Sequence, residues 1–405
     1  MRGFAKRHTV AQALQWLDAQ LEPLDAETVP LGVAAGRVLA EPVESEVDVP
    51  GFDRATMDGF AVVAVSTEGA GSYSHMSLRV IGDSMPGRPF DGVVHHGEAV
   101  RVMTGAPLPE GADAVLPAEF VEMNPAEAGL HIHALAAVSP GKNVGRRGED
   151  VVRGSTILDR FRTLRPQDVG LLSAVGHSQV RVIRRPRVRL AITGNELLPA
   201  GTRPAGVQIA DANGPMLAAL VERDGGVIDF PGLVRDDRQS ILDALHADAD
   251  IVIVSGGSSV GIEDLAPMLV AEHGELAIHG IAMRPSSPTG LGRLGHRLIC
   301  LLPGNPVSSL CAYDFFAGRA VRSLGGRHAS WPYRSIRARL ARKISSPVGR
   351  LDYARVRLVD GLVEPLAVAG ASVLSSTTRA DGFVVIGEDS EGFAEGADVD
   401  VWLYA

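Results

Sequence analysis

Residues 251–267 read IVIVSGGSSVGIEDLAP. Four β-branched residues run without a polar break and stop at Gly256-Gly257. An uninterrupted apolar run bounded by turn residues is the pattern of a strand buried on both faces. The small hydroxyl residues Ser258 and Ser259, a third glycine at Gly261 and the acids Glu263 and Asp264 come next. Glycines let the backbone approach a ligand, and successive N–H groups near a helix N-terminus favour an anion such as phosphate. LAPMLVAEHG (265–274) then reads as that helix. Strand, glycine loop and helix in this order form one unit of an open α/β sheet, whose ligands lie beyond the carboxyl ends of the strands.

The same rhythm extends on both sides, from about residue 187 to 325. VRLAIT (188–193) reads as a strand, and ANGPMLAALVERDGG (212–226) as a helix with Pro215 in its first turn and Gly225 past its end. GVIDFPGLV (226–234) reads as another strand, DDRQSILDALHADAD (236–250) as a helix, and LICLL (298–302) as a strand leading into PGNPVSSLCAYDFFAGRAV (303–321). Alternating strands and helices predict a doubly wound, mostly parallel sheet. GLGRLG (290–295) matches the dinucleotide-binding pattern letter for letter. That fingerprint needs a helix after it, whereas HRLICLL (296–302) is a strand, so a hairpin is expected there instead of a Rossmann site.

The flanks have different textures. TVAQALQWLDAQL (9–21) predicts an amphipathic helix with Val10, Leu14, Leu17 and Leu21 on one stripe and Thr9 with Gln12 as a capping box. Residues 50–142 are short apolar runs broken by Gly and Pro, as expected of an all-β module. The Gly- and Arg-rich PGKNVGRRGEDVVRGS (140–155) marks its end. From about residue 330, SIRARLARKI, DYARVRLV, GFVVIG and DVDVWLYA alternate with period two, predicting a small terminal β-domain.

Bulk properties narrow the function. The chain has 405 residues, more than one core organises, so several domains are expected. A net charge of −9 and 5% aromatic residues speak against a nucleic-acid binder. Cys300 and Cys311 follow neither a metal-ligand nor a disulfide spacing, which fits a reducing cytoplasm. The N-terminal MRGFAKRHTVAQAL lacks a signal-peptide core, and no stretch is apolar enough to span a bilayer, so a cytoplasmic location is expected.

Three of the strands end in loops fit for a phosphate: TGNEL (193–197), SGGSSVG (255–261) and PGNP (303–306), the last comprising Pro303, Gly304, Asn305 and Pro306. One glycine turn alone is a structural turn; three at the same end of one sheet point to a phosphate-bearing ligand. Acids punctuate the same regions: Asp58 in TMDGFA, Glu149 and Asp150 in RRGED, Glu196, the pair Asp236 and Asp237, and Asp264. Magnesium takes hard oxygen ligands and bridges carboxylates to substrate phosphates, so acids beside a phosphate cradle suggest a metal-assisted phosphate reaction. Taken singly, each acid reads equally as a helix cap or a solvated turn residue. His131 and His133 share a strand face without a third ligand near in sequence and read as a surface pair. The cluster Arg181, Arg184, Arg185, Arg187 and Arg189 reads as the solvated side of a strand or linker. No nucleophile–base pair stands out.

Taken in order, eight segments resemble the MoeA family of molybdenum-insertion proteins, which includes the E domain of gephyrin. They are VDVPGFDRATMDGFAV (47–62), RVMTGAPLPEGADAVLPAE (101–119), GKNVGRRGED (141–150), AITGNEL (191–197), VQIADANGPML (207–217), VRDD (234–237), VSGGSSVGIEDL (254–265) and LLPGNPVSSL (301–310). The resemblance implies an elongated homodimer with four domains per chain. These would be residues 1–49 with 143–180, an inserted β-module at 50–142, a doubly wound molybdopterin-binding domain of the MogA type at 181–328, and a β-domain at 329–405. It also implies the reaction: adenylylated molybdopterin and molybdate are taken up, AMP is cleaved off with magnesium (Mg2+), and molybdenum is left on the dithiolene. The implied catalytic residues are Asp58, Thr104, Asp150, Glu196, Asp236 and Asp264. The implied ligand-binding set is Gly256, Gly257, Ser258, Ser259, Gly261, Arg284, Pro303, Gly304, Asn305 and Pro306, with Glu196 and Asp236 as magnesium ligands. The implied cleft lies between the β-module of one copy and the doubly wound domain of the other.

Two positions depart from the family pattern. Asn195 stands in TGNE where the family has an acid, and AMRPSSPTG (282–290) has Ser286 and Ser287 where the family reads Gly-Lys. A serine hydroxyl does not replace the lysine's charge, and a hydrogen bond to a charged group is worth about 1.5–3 kcal/mol. The expectation is a weakened active site, with Arg284 two residues upstream as partial compensation. The same family offers a second reading, a gephyrin-like dimeric scaffold gripping a short hydrophobic peptide of a cytoskeletal or membrane-receptor partner. There Leu14 matches an apolar anchor position, or else is core packing.

Overall fold

Thr9 opens the first helix, α1 (Val10–Asp18), in a computed structural model that describes residues 7–123, 130–256, 265–367 and 370–404. Its hydroxyl accepts the Gln12 N–H at 3.1 Å while the Gln12 side chain accepts the Thr9 N–H at 3.0 Å, the expected capping box. Val10, Ala13 and Leu17 are buried, whereas Leu14 and Leu21 are only partly so. The buried stripe therefore sits slightly to one side of the expected one. The chain forms two compact units, one of residues 1–29, 36–40 and 181–405, the other of 30–35 and 41–180.

The second unit is built on the β-module. Its strands β1 (Gly59–Val62), β2 (Met76–Ser84), β3 (Glu98–Val102), β4 (Ala114–Pro117), β5 (Val121–Met123) and β6 (His131–Ala134) form one sheet ordered β4-β1-β3-β2-β6-β5. Every pairing is antiparallel except β2 with β3. Side chains alternate between two clusters, Phe60, Val62, Leu78 and Leu116 on one and Ala61, Val100, Val102 and Val115 on the other. Both faces of the central strand are thus buried, which explains why GFAV (59–62) carries no polar residue.

In the first unit, strands and helices alternate as the apolar rhythm requires. The elements are β7 (Arg187–Thr193), α2 (Asn213–Arg223), β8 (Val227–Asp229), β9 (Leu233–Val234), α3 (Arg238–Leu245), β10 (Ile251–Ser255), α4 (Leu265–His273), β11 (Glu275–His279), β12 (Gly290–Leu294), β13 (Arg297–Leu302), α5 (Pro306–Ala312) and α6 (Gly318–Leu324). The sheet runs β8-β7-β10-β13-β12-β11, with β9 also beside β7. Strands β8, β9, β7, β10 and β13 are parallel, and β12 and β11 close one edge antiparallel. On one face Val188, Leu190, Ile192, Ile251 and Ile253 pack with Leu217 and Val221 of α2. On the other, Ala191, Val252 and Val254 pack with Ile241 of α3 and Leu269 of α4. Helices on both faces account for the unbroken IVIV.

Two local outcomes refine the reading. GVIDFPGLV is two short strands, not one, because the chain breaks at Phe230–Gly232. GLGRLG is the first arm of a β12–β13 hairpin, as expected. A Cβ at Gly292 would fall 2.2 Å from the Glu275 carbonyl oxygen, so this glycine serves strand packing, not a nucleotide.

The terminal strands do more than alternate. Leu351–Val359, Leu362–Ala367, Arg334–Leu340, Asp398–Leu403 and Gly382–Ile386 pair in that order, and the last pairs back to the first. The sheet closes into a small barrel around Leu340, Val356, Val363, Val384 and Val401, which removes its free edges.

Candidate functional site

Asp58 and Thr104 sit at one end of the β1–β3 pair, where Gly59 lies opposite Val102. The Thr104 N–H and hydroxyl both donate to Asp58 Oδ1, at 2.7 and 2.8 Å. These two donors, the backbone one first, hold the Asp58 carboxyl below the usual carboxylate range. A Cβ at Gly59 would lie 2.1 Å from the Leu116 carbonyl oxygen, so glycine alone fits beside this acid. Met57, Met103 and Phe52 are exposed close by in sequence. Asp150 is exposed at the end of the 146–150 loop, its N–H donating to the Val49 carbonyl at 3.0 Å. Around it Arg54 pairs with Glu149, Arg146 with Asp53 and Arg147 with Asp48. Among the described residues no hydrogen bond or ion pair joins Asp150 to Asp58 or Thr104; the structure unites that pair and leaves Asp150 on its own loop.

In the first unit the parallel register levels the strand ends. Thr193 lies opposite Val234, Ile192 opposite Ser255, and Ser255 opposite Leu302. The segments after β7, β9, β10 and β13 therefore start at one edge, which bears Glu196, Asp236, Gly256 and Pro303 to Pro306. Gly256 has φ +104°, and a Cβ there would meet the Thr193 carbonyl oxygen at 2.0 Å. A Cβ on Gly304 would sit 3.5 Å from Gly256 Cα, so the two loops touch through their backbones. Glu196 is exposed and folds back over Gly194, Asp236 is half-buried, and Arg235 beside it is exposed. Asp237 is a helix cap: its carboxylate accepts the Ser240 N–H and hydroxyl, both at 2.9 Å. Gly257, Ser258, Ser259, Gly261 and Asp264 lie outside the described residues. Hard carboxylates on the adjacent loops after β7 and β9 are the donor chemistry magnesium takes, although no cluster of three acid, His or Cys ligands occurs among the described residues.

The departing loop is anchored elsewhere. Arg284 Nη2 donates to Asp352 Oδ2 at 2.8 Å, and Asp352 also accepts from Arg350 and Ser346. One nitrogen of the Arg284 guanidinium is thus tied to the terminal barrel. Ser286 is buried with φ +88°, the left-handed conformation glycine favours, and its hydroxyl donates to the Ser308 carbonyl of α5 at 2.5 Å. The backbone keeps a glycine's shape without the glycine. Ser287 Oγ is buried without a hydrogen-bond partner among the described residues.

Other candidates resolve simply. Arg184 makes a two-pronged pair with Asp250, Arg187 pairs with Asp248 and Arg189 with Asp229. His131 and His133 share a face of β6 as expected, outside any three-ligand cluster of described residues. Leu14 packs against the main core and lines a cavity of about 720 Å³ with Phe315, Trp331 and Trp402. Asn213 and Ser255, both buried at the sheet edge, were not singled out from the sequence. Asn213 lies inside VQIADANGPML, one of the segments that carry the family resemblance, which by itself gives this side chain no role.

A glycine-lined, carboxylate-bearing edge on a doubly wound sheet defines the class, and residues 190–322 match the family model described as a probable molybdopterin binding domain. Residues 8–176 match the MoeA N-terminal region (domain I and II) and residues 337–404 the MoeA C-terminal region (domain IV). The chain belongs to the MoeA family. It is 34% identical to molybdopterin molybdenumtransferase 2 of Mycobacterium tuberculosis, over 93% of this chain and 94% of that one. It is 32% identical to the molybdopterin molybdenumtransferase of Haemophilus influenzae, over 97% and 98%. The crystal structure of a molybdopterin biosynthesis MoeA protein from Pyrococcus horikosii superposes with a TM-score of 0.85 at 34% identity, covering 99% of this chain and all of that one.

Proposed function

We propose that this protein acts in molybdenum cofactor biosynthesis, inserting molybdate into adenylylated molybdopterin with release of AMP. One observation carries the reading: the Gly256 and Gly304 backbones meet at the sheet edge from which, by strand register, the segments bearing Glu196 and Asp236 also leave. In the reaction a water oxygen bonds to one phosphorus of the pyrophosphate link as the bridging P–O bond breaks and AMP leaves, while two dithiolene sulfurs bond molybdenum and their thiol protons carry one molybdate oxygen away as water. The glycine loops bring backbone close to the phosphates, and Pro303 and Pro306 fix the turn between them. Glu196 and Asp236 would hold magnesium, which when bound neutralises phosphate charge. Thr104 orients the Asp58 carboxylate through its two donors. Met57, Met103 and Phe52, exposed and near that pair in sequence, suit coverage by a second copy, so the active form is read as a homodimer in which Asp58 of one chain serves the sheet edge of the other. Asp150 and Asp264 complete the set of acids. The scaffold reading is not favoured: relatives matched over nearly their whole length are named as transferases, and Leu14 is partly buried against the core.

The purified chain, given adenylylated molybdopterin, molybdate and magnesium, is expected to release AMP in step with molybdenum loading. Asp58→Asn and Asp236→Asn should each slow release about a hundredfold, roughly 3 kcal/mol of transition-state stabilisation. Absence of AMP release from the unmodified chain rejects the reading. Ser287→Lys places a cation at the position where the family pattern has lysine, and turnover is expected to rise about tenfold. An unchanged rate in Ser287→Lys would show that the missing charge is supplied elsewhere.

A further inference from the structure

We infer that Asn213 is a positioning residue that sets the spacing between the two phosphate-facing loops; the inference rests on the proposed reaction. Asn213 opens α2 and is 6% exposed. Its Nδ2 donates to Ser255 Oγ at 2.9 Å and to the Gly304 carbonyl at 2.8 Å. One amide thus ties the last residue of β10 to the loop after β13. The tie continues, since Ser255 Oγ lies 3.4 Å from both the Pro303 carbonyl oxygen and Ser309 Oγ of α5. Ser255 and Ser309 are 1% and 0% exposed, so water does not compete for these contacts.

The geometry needs such a tie. Gly256 and Gly304 meet through backbone alone, with no side chain on either to lock them, and the Gly256 N–H reaches the Leu302 carbonyl only at 3.4 Å. Parallel pairing ends at Ser255 and Leu302. Beyond that level, among the described residues, the hydrogen bonds of Asn213 and Ser255 join the start of one loop to the other. A planar amide with two N–H donors suits the task, because one group can satisfy acceptors on two loops at once. Loop starts already held at one separation need less ordering when a ligand binds across them.

Two variants of the full chain test this. Asn213→Ala removes the amide, and Asn213→Asp keeps its shape while deleting both donors. Amide hydrogen exchange without ligand reads the loops directly. Both variants should exchange about tenfold faster at the amides of Ser255, Gly256, Gly304 and Asn305, with the rest of the sheet unchanged. In turnover, KM for adenylylated molybdopterin should rise about tenfold while kcat changes less than about threefold. Exchange unchanged at both loops, or accelerated equally across all strands, overturns the inference. An unmodified chain that releases no AMP removes the proposed reaction, while the exchange result still decides whether Asn213 sets the loops.

Discussion

Gly256→Ala is expected to lower kcat/KM for AMP release at least about a hundredfold, whereas Gly304→Ala is expected to lower it only a few-fold. Both glycines lie at the same sheet edge, so the contrast isolates a backbone cause. At Gly256 the chain adopts φ +104°, and an alanine Cβ would press to 2.0 Å on the Thr193 carbonyl oxygen. That oxygen belongs to the sheet and moves only if β7 and β10 part. The dihedral strain alone costs on the order of 1–3 kcal/mol. At Gly304 the same Cβ would meet Gly256 Cα at 3.5 Å, ordinary contact distance. Thermal unfolding of both variants beside the turnover assay separates a displaced loop from a lost fold. Equal effects at the two glycines would refute the steric account.

The second large effect is in stability. Asp224→Ala is expected to cost about 3–5 kcal/mol in denaturant unfolding, because it strips the partner from a buried cation. Asp224 is 1% exposed and accepts from Arg322 at 2.8 Å and from the Tyr313 hydroxyl at 3.1 Å, while Arg322 is itself 3% exposed. Asp314, one residue on from Tyr313, accepts from Tyr333 at 2.9 Å, and burial pushes its carboxyl up to about 6. A carboxyl raised above its unfolded value binds its proton more tightly when folded. Its contribution to stability therefore falls as pH rises from about 4 to about 6. Asp314→Asn should flatten that part of the stability profile. A loss below about 1 kcal/mol in Asp224→Ala would mean that Arg322 finds another acceptor.

The candidate site was legible where chemistry and local pattern agree. TGNEL, VRDD and PGNP each follow an apolar strand, and parallel register then puts them at one edge by necessity. Ser286 shows the limit of reading by residue type. It stands where the family resemblance has glycine, yet its φ of +88° is the left-handed conformation that glycine favours. Arg284 shows the same limit from the other side. It reads as a spare cation for the ligand, but it is engaged by Asp352 from a segment far along the chain.

By itself the sequence determined the elements whose causes are local: the Thr9–Gln12 cap, the buried IVIV strand, the glycine loops and the β12–β13 hairpin. Apolar period, turn chemistry and capping act over a few residues, so they can be read without coordinates. Tertiary structure alone decided closure of the terminal barrel, the π-helical turn at Tyr313–Ala317 between α5 and α6, and the joining of Ser255 to Gly304 through Asn213. Each of these depends on contacts between residues distant in the chain, and a buried polar group acquires its role only from the partners that folding brings to it.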